Sequence, residues 1–508
     1  MNSDKNKKIK NVGALVLAGG LGTRMKSEVP KALLNLLENP LIFYSIESLI
    51  NVGKYFNISM GSEYRVLLDE IGIVIGHKGD LVKKYFLEEK RFKTERLSFD
   101  FASQKNYLGT GDAVSKALES NMFSGKSDLL ILPCDMPLIE MKTYIGMMKF
   151  HLDNDNDLTV LSVEAEDPYS YGRILRDDKG FAEKIVEEKE LCDYPPETAG
   201  VKEINSGIYI VGLDYLKKLI KLIKPDNRKK EFYFTDIVNI FYEAGLKTRC
   251  YKHHDSLEFI GVNSKPDMIK AQKILQGRVI DNLAEEGINF ISTDNIYIGY
   301  NVKIGKNSII YPGVFISGTS FLSNDVVVEN GCVIKDSVIL EKSEIKSYSV
   351  IEKTTIMSGV QIGPFARLRP DSSILEGSKI GNFVEVKKST IGKNSKASHL
   401  SYIGDAEIGS GVNIGAGVIT CNYDGAEKHK TVIGDGCFIG SGSQLIAPVK
   451  IGAGSYVGAG STIVKDVPAD SLAVSRAVQE NIPGWVSKRV EKKAEAKDKR
   501  ITDKKGEI

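Results

Sequence analysis

The sequence predicts an α/β domain followed by a parallel β-helix, and two patterns carry that prediction. From Ile298 to Ile463, apolar residues return every six residues, and Gly, Ser, Asn and Asp crowd the positions between them. An α-helix would repeat its apolar face every 3.6 residues, whereas six residues fit one short strand and a tight turn. Before the repeat, from Asn11 to about Gly261, apolar strand-like runs alternate with helical stretches, which indicates a largely parallel sheet.

The six-residue repeat keeps its register through three long stretches of the C-terminal half. Three strand-and-turn units would close one coil of about 18 residues, so the span predicts roughly nine coils. An ordinary β-sandwich is the alternative, but sandwich strands do not hold one register over so many repeats. The apolar positions are Ile298, Ile304, Ile310, Ile316, Leu322, Val328, Ile334, Ile362, Leu368, Ile374, Ile380, Val386, Ile433, Ile439, Leu445, Ile451, Val457 and Ile463.

The N-terminal region contains five strand candidates, and a helix is expected to follow it. That helix runs from Ser264 to Gly287, with Pro266 in its first turn and an apolar face at Met268, Ile269, Ile274 and Leu275. The strand candidates are Gly13–Ala18, Ile71–Ile75, Asp128–Leu132, Leu158–Val163 and Gly207–Val211.

These patterns divide the chain into five segments. We expect a flexible N-terminus over residues 1–10, an α/β domain over 11–262, a linker helix over 263–289, a β-helix over 290–475 and a tail over 476–508. From Ser487 to Ile508 there are nine basic and five acidic residues and almost nothing apolar, so we expect the end of the tail to be disordered. An arm that binds nucleic acid is the alternative for this tail.

Composition and charge indicate an ordinary soluble protein. The chain has 508 residues, of which 42% are hydrophobic and 26% charged, and its 68 basic and 66 acidic residues leave a formal charge of +2. The net charge is therefore too small to create an electrostatic field that would favour nucleic acid as a partner. No apolar run reaches the length of a membrane helix, and the short run Val12–Ala18 is interpreted as a buried strand rather than a signal-peptide core.

Six cysteines lie far apart, without the paired spacing of a disulfide framework or a thiolate zinc site. This spacing predicts reduced thiols and a cytoplasmic protein. They are Cys134, Cys192, Cys250, Cys332, Cys421 and Cys437.

The first strand runs into a glycine-rich turn that suits a phosphate group. The stretch Leu17–Met25 carries three glycines, and Pro30-Lys31 follows it. Glycines let backbone N–H groups approach a phosphate closely. Arg24 can donate two hydrogen bonds to phosphate oxygens, and Lys31 adds a second cation. The turn matches neither the common G-x-x-x-x-G-K-[ST] pattern nor G-x-G-x-x-G.

The stretch Leu17–Met25 with Pro30-Lys31 resembles the signature of the sugar-1-phosphate nucleotidyltransferases. Further segments resemble one family of them, the bacterial bifunctional N-acetylglucosamine-1-phosphate uridylyltransferases / glucosamine-1-phosphate N-acetyltransferases, from about residue 11 to 485. These segments are Gln104 with Leu108–Gly111, Asp135 with Pro137-Leu138, Tyr171–Ile174, Ile185–Glu187, Glu203–Ile208 and Gly261–Asn263.

This resemblance implies a Rossmann-like nucleotidyltransferase domain that binds UTP and Mg²⁺. Arg24 and Lys31 would stabilise charge on the triphosphate as pyrophosphate leaves, and Asp135 and Asn263 would hold Mg²⁺, which favours hard oxygen ligands. The implied nucleotide-binding residues are Leu17, Ala18, Gly19, Gly20, Gly22, Lys31, Gln104, Gly109 and Thr110. The implied sugar-phosphate-binding residues are Gly172, Glu187, Asn205 and Asn263.

Two segments depart from the family pattern. Pro133-Cys134 stands where the family has an aromatic residue and a glycine, next to the expected metal ligand Asp135. Residues 54–70 form a longer connection than the family has at this point, and we expect a surface hairpin there.

Segments of the repeat domain resemble the acetyltransferase half of the same family, whose coils are left-handed. They are Ile362–Pro370, Gly381–Lys388, Lys396–Tyr402, Asn413–Gly417 and Thr420–Gly425. The last of them interrupts the six-residue period, so we expect a loop between Thr420 and Ile433.

His399 is the only histidine between residues 255 and 428. Acyl transfer to an amine needs a base that can take a proton near pH 7, which suits imidazole. The resemblance makes His399 that base, with Glu385 as a candidate to orient it. It also implies that Arg369, Lys387, Tyr402 and Asn413 hold glucosamine 1-phosphate, and that Ala416, Asn422, Tyr423, Ser441, Ala459 and Arg476 line the acetyl-CoA site.

The resemblance thus implies two reactions, acetylation of glucosamine 1-phosphate from acetyl-CoA and coupling of the product to UTP, in a homotrimer that shares its acetyl sites between subunits. The nucleotide sugar would feed bacterial cell-wall and lipopolysaccharide synthesis. One alternative keeps the architecture and changes the sugar or nucleotide. Another is a non-catalytic scaffold, which we expect to lack charged residues such as Arg24, Lys31, Asp135 and His399.

Overall fold

The computed structural model describes residues 8–20, 22–58, 64–92 and 97–505. By its internal contacts the chain forms two compact units. The first comprises Met1–Leu283 with Ile298–Tyr300, and the second comprises Ala284–Tyr297 with Asn301–Ile508. The five segments derived from the sequence stay predictions as domain limits.

The first unit is built on one mixed β-sheet flanked by helices, and two of its strands, Asn35–Leu36 and Asn39–Pro40, form a separate two-stranded sheet. Its strands are β1 (Lys8–Ala18), β2 (Asn35–Leu36), β3 (Asn39–Pro40), β4 (Tyr64–Ile75), β5 (Ser98–Ser103), β6 (Asp128–Pro133), β7 (Leu158–Glu164), β8 (Arg173–Arg176), β9 (Ala182–Val186), β10 (Glu203–Gly212) and β11 (Thr248–His253). Its helices are α1 (Leu41–Ile58), α2 (Gly79–Glu88), α3 (Thr110–Glu119), α4 (Met141–Asp153), α5 (Pro196–Ala199), α6 (Leu213–Leu219), α7 (Asp236–Glu243) and α8 (Lys265–Glu285).

The main sheet has the strand order β11-β7-β10-β6-β1-β4-β5, and all five strand candidates lie within it. Strand β1 pairs in parallel with both β4 and β6, as the alternation of strands and helices predicted. Strand β10 is the exception, because it runs antiparallel to β6 and β7. The pairing of β1 with β6 places their carboxyl ends side by side, where loops can build a site.

The core of this unit explains the unbroken apolar runs. Leu129, Leu130, Ile131 and Leu132 of β6 are all fully buried, as expected for a central strand covered on both faces. Phe123 fills the space above two glycines of neighbouring strands, since a Cβ added at Gly13 or Gly72 would lie within 2.6 Å of its ring.

Three expectations about flanking segments are corrected. Lys8–Lys10 belong to β1 rather than to a flexible end, because they pair with β4. Residues 54–58 and 64–70, expected in a surface hairpin, extend α1 and β4, while 59–63 lie outside the described residues. The predicted helix is α8, but Ile269 is 66% exposed and lies off the buried face, which is formed by Ala271, Leu275, Ile280 and Leu283.

The second unit is a parallel β-helix with three sheets. The first sheet holds Asn289–Phe290, Ile309–Ile310, Val327–Val328, Glu344–Ile345, Gln361–Ile362, Lys379–Asn382, Lys396–His399, Asn413–Ile414, Phe438–Ile439, Tyr456–Val457 and Leu472–Ala473. The second sheet holds Tyr297–Ile298, Phe315–Ser317, Val333–Lys335, Val350–Glu352, Arg367–Leu368, Glu385–Lys387, Tyr402–Gly404, Ile419–Cys421, Gln444–Ile446 and Thr462–Ile463. The third sheet holds Lys303–Ile304, Phe321–Leu322, Val338–Ile339, Thr354–Ile356, Ser372–Ile374, Thr390–Ile391, Ala406–Ile408, Thr431–Ile433 and Val449–Ile451.

Every apolar position of the predicted repeat is buried inside this β-helix, so the six-residue interpretation is confirmed. Buried serines satisfy the backbone at the corners. Ser395, for example, donates its hydroxyl to the carbonyl of Gly409 at 2.7 Å and accepts from the N–H of Val412 at 2.9 Å. Such bonds explain why small polar residues crowd between the apolar ones.

The expected disorder at the C-terminal end is wrong for the described residues, because Trp485–Lys505 form helix α9. Its described side chains, from Trp485 to Lys497, are all exposed. Lys488 and Lys492 each stand three residues before a glutamate, a spacing that supports a solvated helix without a core. The low apolar content therefore indicated a segment that does not pack against a core. Its helical backbone conformation follows from local helix propensity.

A substitution pair tests the inward and outward alternation of the β-helix. Ile345 is fully buried and Glu344, beside it on the same strand, is exposed. We expect Ile345→Ala to lower the free energy of unfolding by about 2–5 kcal/mol, because it leaves a cavity that the stacked coils cannot close. Glu344→Ala is the matched control and should change it by less than about 0.5 kcal/mol in urea unfolding. Equal losses in both variants would contradict the assignment.

Candidate active sites

The glycine-rich turn follows β1 directly and lies against two of the predicted site residues. Gly22 has a φ of +58°, and a Cβ added there would lie 3.0 Å from the Cβ of Lys31. A Cβ added at Gly19 would lie 3.0 Å from Oε1 of Gln104. Gly20 is exposed and faces open space. The turn thus needs glycine both for its backbone angle and for close packing.

Four predicted residues converge beyond the carboxyl end of β6. The Lys31 ammonium forms an ion pair with Asp135 and donates to Oδ1 of Asn263 at 2.8 Å. Arg24 reaches the same Oδ1 atom at 3.5 Å. The side chains of Lys31 and Asp135 are 12% and 22% exposed, so their ion pair is only partly screened by water. Residues separated by up to 239 positions in the chain meet here.

The backbone explains why these residues meet. Cys134 donates its N–H to the carbonyl of Leu17 at 3.1 Å, which extends the pairing of β1 with β6 by one residue. Asp135 follows, and its carbonyl accepts from the N–H of Val262 at 2.8 Å. That bond brings Asn263 to the site, and the Asn263 N–H is held by Asp267 at 3.1 Å. Cys134 itself is buried, so this departure from the family pattern faces the core.

The oxygen atoms of Asp135 and Asn263 suit a divalent cation. Both bind the single ammonium group of Lys31, so they can converge on one positively charged centre. A carboxylate and an amide oxygen are hard ligands of the kind that Mg²⁺ takes, with water and phosphate oxygens completing its shell. The donor set fits the predicted ion.

The predicted nucleotide-binding residues Gln104, Gly109 and Thr110 form one connected corner. Gln104 donates to the Gly109 carbonyl at 2.9 Å and to Oδ2 of Asp112 at 2.8 Å. Gly109 has a φ of +111°, and a Cβ there would lie 2.4 Å from the carbonyl oxygen of Phe232. The Thr110 hydroxyl accepts from the N–H of Phe234 at 2.9 Å.

The predicted sugar-binding residues lie together around the β8–β9 hairpin. Asn205 donates its N–H to the Gly172 carbonyl at 2.9 Å, and its side chain donates to the Tyr209 hydroxyl at 2.8 Å. Glu187 follows β9 and accepts from the Thr235 hydroxyl at 3.0 Å. Desolvation raises the pKa of Glu187 above its ordinary value. An amide and a carboxylate side by side can accept and donate to sugar hydroxyl groups.

In the second unit, His399 ends a strand of the first sheet and is exposed. It stands opposite Asn382 of the preceding coil, and its carbonyl accepts from the Ser401 hydroxyl at 2.9 Å. Among the described residues of this chain, no hydrogen bond to the imidazole is present. The ring is therefore open to a substrate from the corner between the first and second sheets.

The expected contact between Glu385 and His399 is absent from the described part of the chain. The Glu385 carboxylate instead accepts from Nη1 of Arg369 at 2.8 Å. The reason is geometric, because Glu385 begins a strand of the second sheet and stands opposite Tyr402, whereas His399 ends a strand of the first sheet. The Arg369–Glu385 ion pair is half-exposed and raises the pKa of Arg369.

A second group of predicted residues surrounds Asp405. Its carboxylate accepts from Lys387 at 3.3 Å and also from the Asn422 side chain. Lys428 lines one pocket together with Asp405, and the Lys387 ammonium lowers the pKa of Lys428. Lys428 belongs to the predicted loop, which spans the residues between the strands Ile419–Cys421 and Thr431–Ile433. Two neighbouring cations on a loop and a rigid strand suit a phosphate.

Three predicted acetyl-CoA residues stack on successive coils. The N–H of Gly442 donates to the Ala416 carbonyl at 2.7 Å, and the N–H of Gly460 donates to the Ser441 carbonyl at 2.8 Å. Arg476 continues the column by donating to the Ala459 carbonyl at 2.9 Å. These residues therefore lie in one column along the β-helix, one on each of three successive coils.

The remaining predicted residues flank these groups. The Tyr402 ring lies over Gly404, where a Cβ would come within 2.5 Å of the phenol oxygen. Asn413 stands opposite Lys396 in the first sheet and is partly exposed. Tyr423 is 60% exposed on the loop and donates its hydroxyl to the Gly425 carbonyl at 2.6 Å.

The sequence interpretation missed several residues that the geometry adds. Asp112 holds Gln104, and Thr235 holds Glu187. Asp405 accepts from Lys387 and Asn422, and Lys428 lines a pocket with Asp405. Asp112 was recognisable only as an acidic residue in the first turn of a helix, a common position with no functional signal. Thr235 and Lys428 belong to no recognisable local sequence pattern, so only the fold shows that they lie beside site residues.

Comparison with known families divides the chain in the same way. The nucleotidyl transferase family matches residues 13–257, the GMPPB C-terminal domain matches 292–370, and six repeats of the bacterial transferase hexapeptide match 430–465. "Bifunctional protein GlmU" from Thermodesulfovibrio yellowstonii is 42% identical over 475 residues, 94% of this chain and 99% of the relative. The proteins of that name from Thermosipho africanus and Streptococcus agalactiae are 41% and 38% identical, over 93% and 94% of this chain and 96% and 98% of theirs.

The chain belongs to the GlmU family of bifunctional proteins. It is a bifunctional transferase that joins a nucleotidyltransferase domain to a left-handed β-helix of hexapeptide repeats, so the predicted family and fold class are confirmed. Its nucleotidyltransferase half acts on nucleotide substrates with a metal requirement. Among the described residues, no helix is both long and apolar enough to span a bilayer.

The glycine turn gives a first prediction for the site. Gly22→Ala is expected to lower kcat/KM of nucleotidyl transfer by about tenfold or more, because the added Cβ strains the backbone and displaces Lys31. Gly125 also has a positive φ but has no atom within 4 Å of an added Cβ, so Gly125→Ala is the matched control for backbone strain alone. Steady-state rates of both variants test this prediction. Similar rate losses in the two variants would contradict a role for the contact with Lys31.

The contact of Glu385 gives a second prediction. Glu385→Gln is expected to raise KM for the acetyl acceptor about three- to tenfold, because Arg369 loses its ionic partner, while the pH profile of kcat keeps its midpoint. Glu376→Gln, which removes the carboxylate paired with Lys393 elsewhere on the same β-helix, is the control. A shifted pH midpoint for Glu385→Gln would instead mean that this residue orients His399 in the working enzyme.

Proposed function

We propose that this bifunctional transferase makes UDP-N-acetylglucosamine in two steps. The β-helix transfers an acetyl group from acetyl-CoA to glucosamine 1-phosphate, and the α/β unit then transfers uridylyl from UTP to N-acetylglucosamine 1-phosphate, releasing pyrophosphate. The observation that carries this proposal is the presence of a complete set of charged site residues in each unit, within a chain of the GlmU family. A non-catalytic scaffold would have no use for these paired charges.

In the first unit, the sugar phosphate attacks the α-phosphorus directly. A P–O bond forms as the bond to pyrophosphate breaks, and Arg24 and Lys31 stabilise the negative charge that moves onto the leaving group. Asp135 and Asn263 would hold Mg²⁺, which neutralises phosphate charge when bound. The turn Leu17–Gly22 with Gln104, Gly109 and Thr110 would bind UTP.

The sugar ring would lie against the hairpin residues Gly172, Glu187 and Asn205. Thr235 and Tyr209 hold Glu187 and Asn205 in place, so the site requires little rearrangement to accept hydroxyl groups. Asp112 orients the Gln104 amide in the same way at the uracil end.

In the second unit, His399 would take the proton from the substrate ammonium group. The free amine then attacks the thioester carbonyl of acetyl-CoA, an amide bond forms, and coenzyme A leaves as its thiol. Arg369, Lys387 and Lys428 would hold the phosphate, with Tyr402 and Asn413 beside the sugar. Ala416, Asn422, Tyr423, Ser441, Ala459 and Arg476 would line the acetyl-CoA site.

We propose that the protein works as a homotrimer in the cytoplasm. Support for the trimer comes from a corner of the β-helix next to His399. The rings of Tyr348, Phe365 and Phe383 stack there while remaining 52%, 45% and 58% exposed, and Leu400, beside His399, is 64% exposed. A contiguous apolar column of this kind favours a protein partner. Support for the location comes from the six cysteines, which are all free.

Two variants test whether the activities reside in separate units. Asp135→Asn is expected to lower UDP-N-acetylglucosamine formation by about 100-fold and to raise the Mg²⁺ concentration required, while leaving acetyl transfer unchanged. His399→Asn should lower acetyl transfer by about 100-fold or more and leave uridylyl transfer unchanged. Mass analysis of products from UTP with N-acetylglucosamine 1-phosphate, and from acetyl-CoA with glucosamine 1-phosphate, measures both.

The wild-type protein is the control in each assay. Failure of wild type to use N-acetylglucosamine 1-phosphate with UTP, while another sugar phosphate or nucleotide reacts, would overturn the proposed substrates. Loss of both activities in one variant whose thermal unfolding matches wild type would overturn the division between the units.

A further inference from the structure

The loop that carries Tyr423 and Lys428 folds back on itself as a small hairpin. Tyr423 and Lys428 stand opposite each other in an antiparallel bridge, and the N–H of His429 donates to the carbonyl of Asn422 at 2.8 Å. The loop therefore has two arms, one with Tyr423 and one with Lys428, and a defined register between them.

Asp424 organises the tip of this hairpin. Its Oδ1 atom accepts from the N–H groups of Ala426 and Glu427 at 2.8 and 2.7 Å, and its own N–H donates to the Glu427 carbonyl at 3.2 Å. A short acidic side chain that bonds the backbone two residues on is a common way to build a tight turn. One carboxylate oxygen is thus used within the turn, which leaves Oδ2 for a second contact.

The second contact is with His429, on the other arm. Nε2 of His429 lies 2.7 Å from Oδ2 of Asp424, and the two side chains are 29% and 49% exposed. The N–H of Glu427 and, after it, the His429 imidazole hold the pKa of the Asp424 carboxyl well below its usual range. An ion pair this exposed adds little to the stability of the whole protein, so its effect is on the position of the loop.

Other carboxylates near His429 have cationic partners of their own. Glu407 pairs with Lys430, and Asp405 accepts from Lys387 at 3.3 Å. The bond that the imidazole makes is to the carboxylate of its own loop, so it fixes the shape of the loop rather than attaching it to the coils. The charged residues that line a pocket with His429 are Asp371, Lys388, Asp405, Glu407, Lys428 and Lys430.

The Asp424–His429 pair spans the two arms next to the groups that the proposed acetyl transfer uses. Asp424 follows Tyr423, which would line the acetyl-CoA site, and His429 follows Lys428, which would hold the acceptor phosphate. The thioester and the amine react only when they are held close together in the right orientation. The residues that bind the two substrates therefore need a fixed relation to each other.

We propose that His429 is a positioning residue for acetyl transfer, because its bond to Asp424 holds Tyr423 and Lys428 in one arrangement that serves both substrates. This inference rests on the proposed function and goes beyond it, since it assigns a role to a second histidine that does not touch the reacting atoms. The alternative is that Asp424 shapes the turn by itself and that His429 is an ordinary surface residue.

The test measures KM for acetyl-CoA and for glucosamine 1-phosphate separately. His429→Ala is expected to raise both about fivefold and to change kcat less than about twofold, because substrate binding is weakened and the reacting groups are unchanged. His429→Gln should restore both KM values to within about twofold of wild type, since its amide N–H can still donate to Asp424. Lys393→Ala, which breaks the exposed ion pair with Glu376 elsewhere on the β-helix, is the matched control.

A double variant tests whether His429 acts through Asp424. Asp424→Ala is expected to raise the same two KM values at least as much as His429→Ala, and adding His429→Ala to it should change them by less than about 1.5-fold, because the bond is already lost. Uridylyl transfer by the first unit and thermal unfolding are measured in every variant and should match wild type, which shows that the protein is folded.

Unchanged KM values in His429→Ala would overturn the inference, and so would an increase in only one of the two. Additive effects of Asp424→Ala and His429→Ala, or a loss in His429→Gln as large as in His429→Ala, would overturn it as well. Wild type that fails to acetylate glucosamine 1-phosphate would instead refute the proposed function, so the two failures are distinguishable.

Discussion

A strand of two to four residues has no stability by itself, and this constraint governs the second unit. Each strand of the β-helix is held by parallel pairing with the coils before and after it, and by an inward apolar side chain in a column that runs through the coils. The rigid scaffold that results places Ala416, Ser441 and Ala459 in register, one coil after another. The loop between the strands Ile419–Cys421 and Thr431–Ile433 leaves this frame, and it carries Asn422, Tyr423 and Lys428.

The strands of the first unit's main sheet are longer than those of the β-helix. Parallel pairing of β1 with β6 aligns the glycine turn with Asp135, and the bond from Val262 to Asp135 adds Asn263 from a distant part of the chain. Lys31 then binds the two oxygen atoms that would otherwise hold a metal ion, Oδ2 of Asp135 and Oδ1 of Asn263. The site is therefore assembled by backbone hydrogen bonds, and its charged side chains are balanced by each other before any substrate binds.

Much of this arrangement could be predicted from the sequence, for physical reasons that differ between the units. The six-residue repeat is a local pattern in which one position in six must be buried. Every apolar position that it predicted is therefore buried in the structure. The tail was interpreted from composition alone, which reports the lack of a core but not the helix propensity of α9. The prediction that Ile269 lies on the buried face was wrong for a related reason. An apolar residue at helical spacing can still lie outside the packed face of α8.

The sequence by itself determined the fold class, the family, and the residue types of both sites, because glycine turns, hexapeptide repeats and charged motifs are written in short local patterns. The tertiary structure alone decided which side chains meet. It paired Glu385 with Arg369 rather than with His399, and it added Asp112 beside Gln104 and Thr235 beside Glu187. Such pairings depend on which strand ends and loops lie side by side, a relation between distant segments that no local pattern encodes.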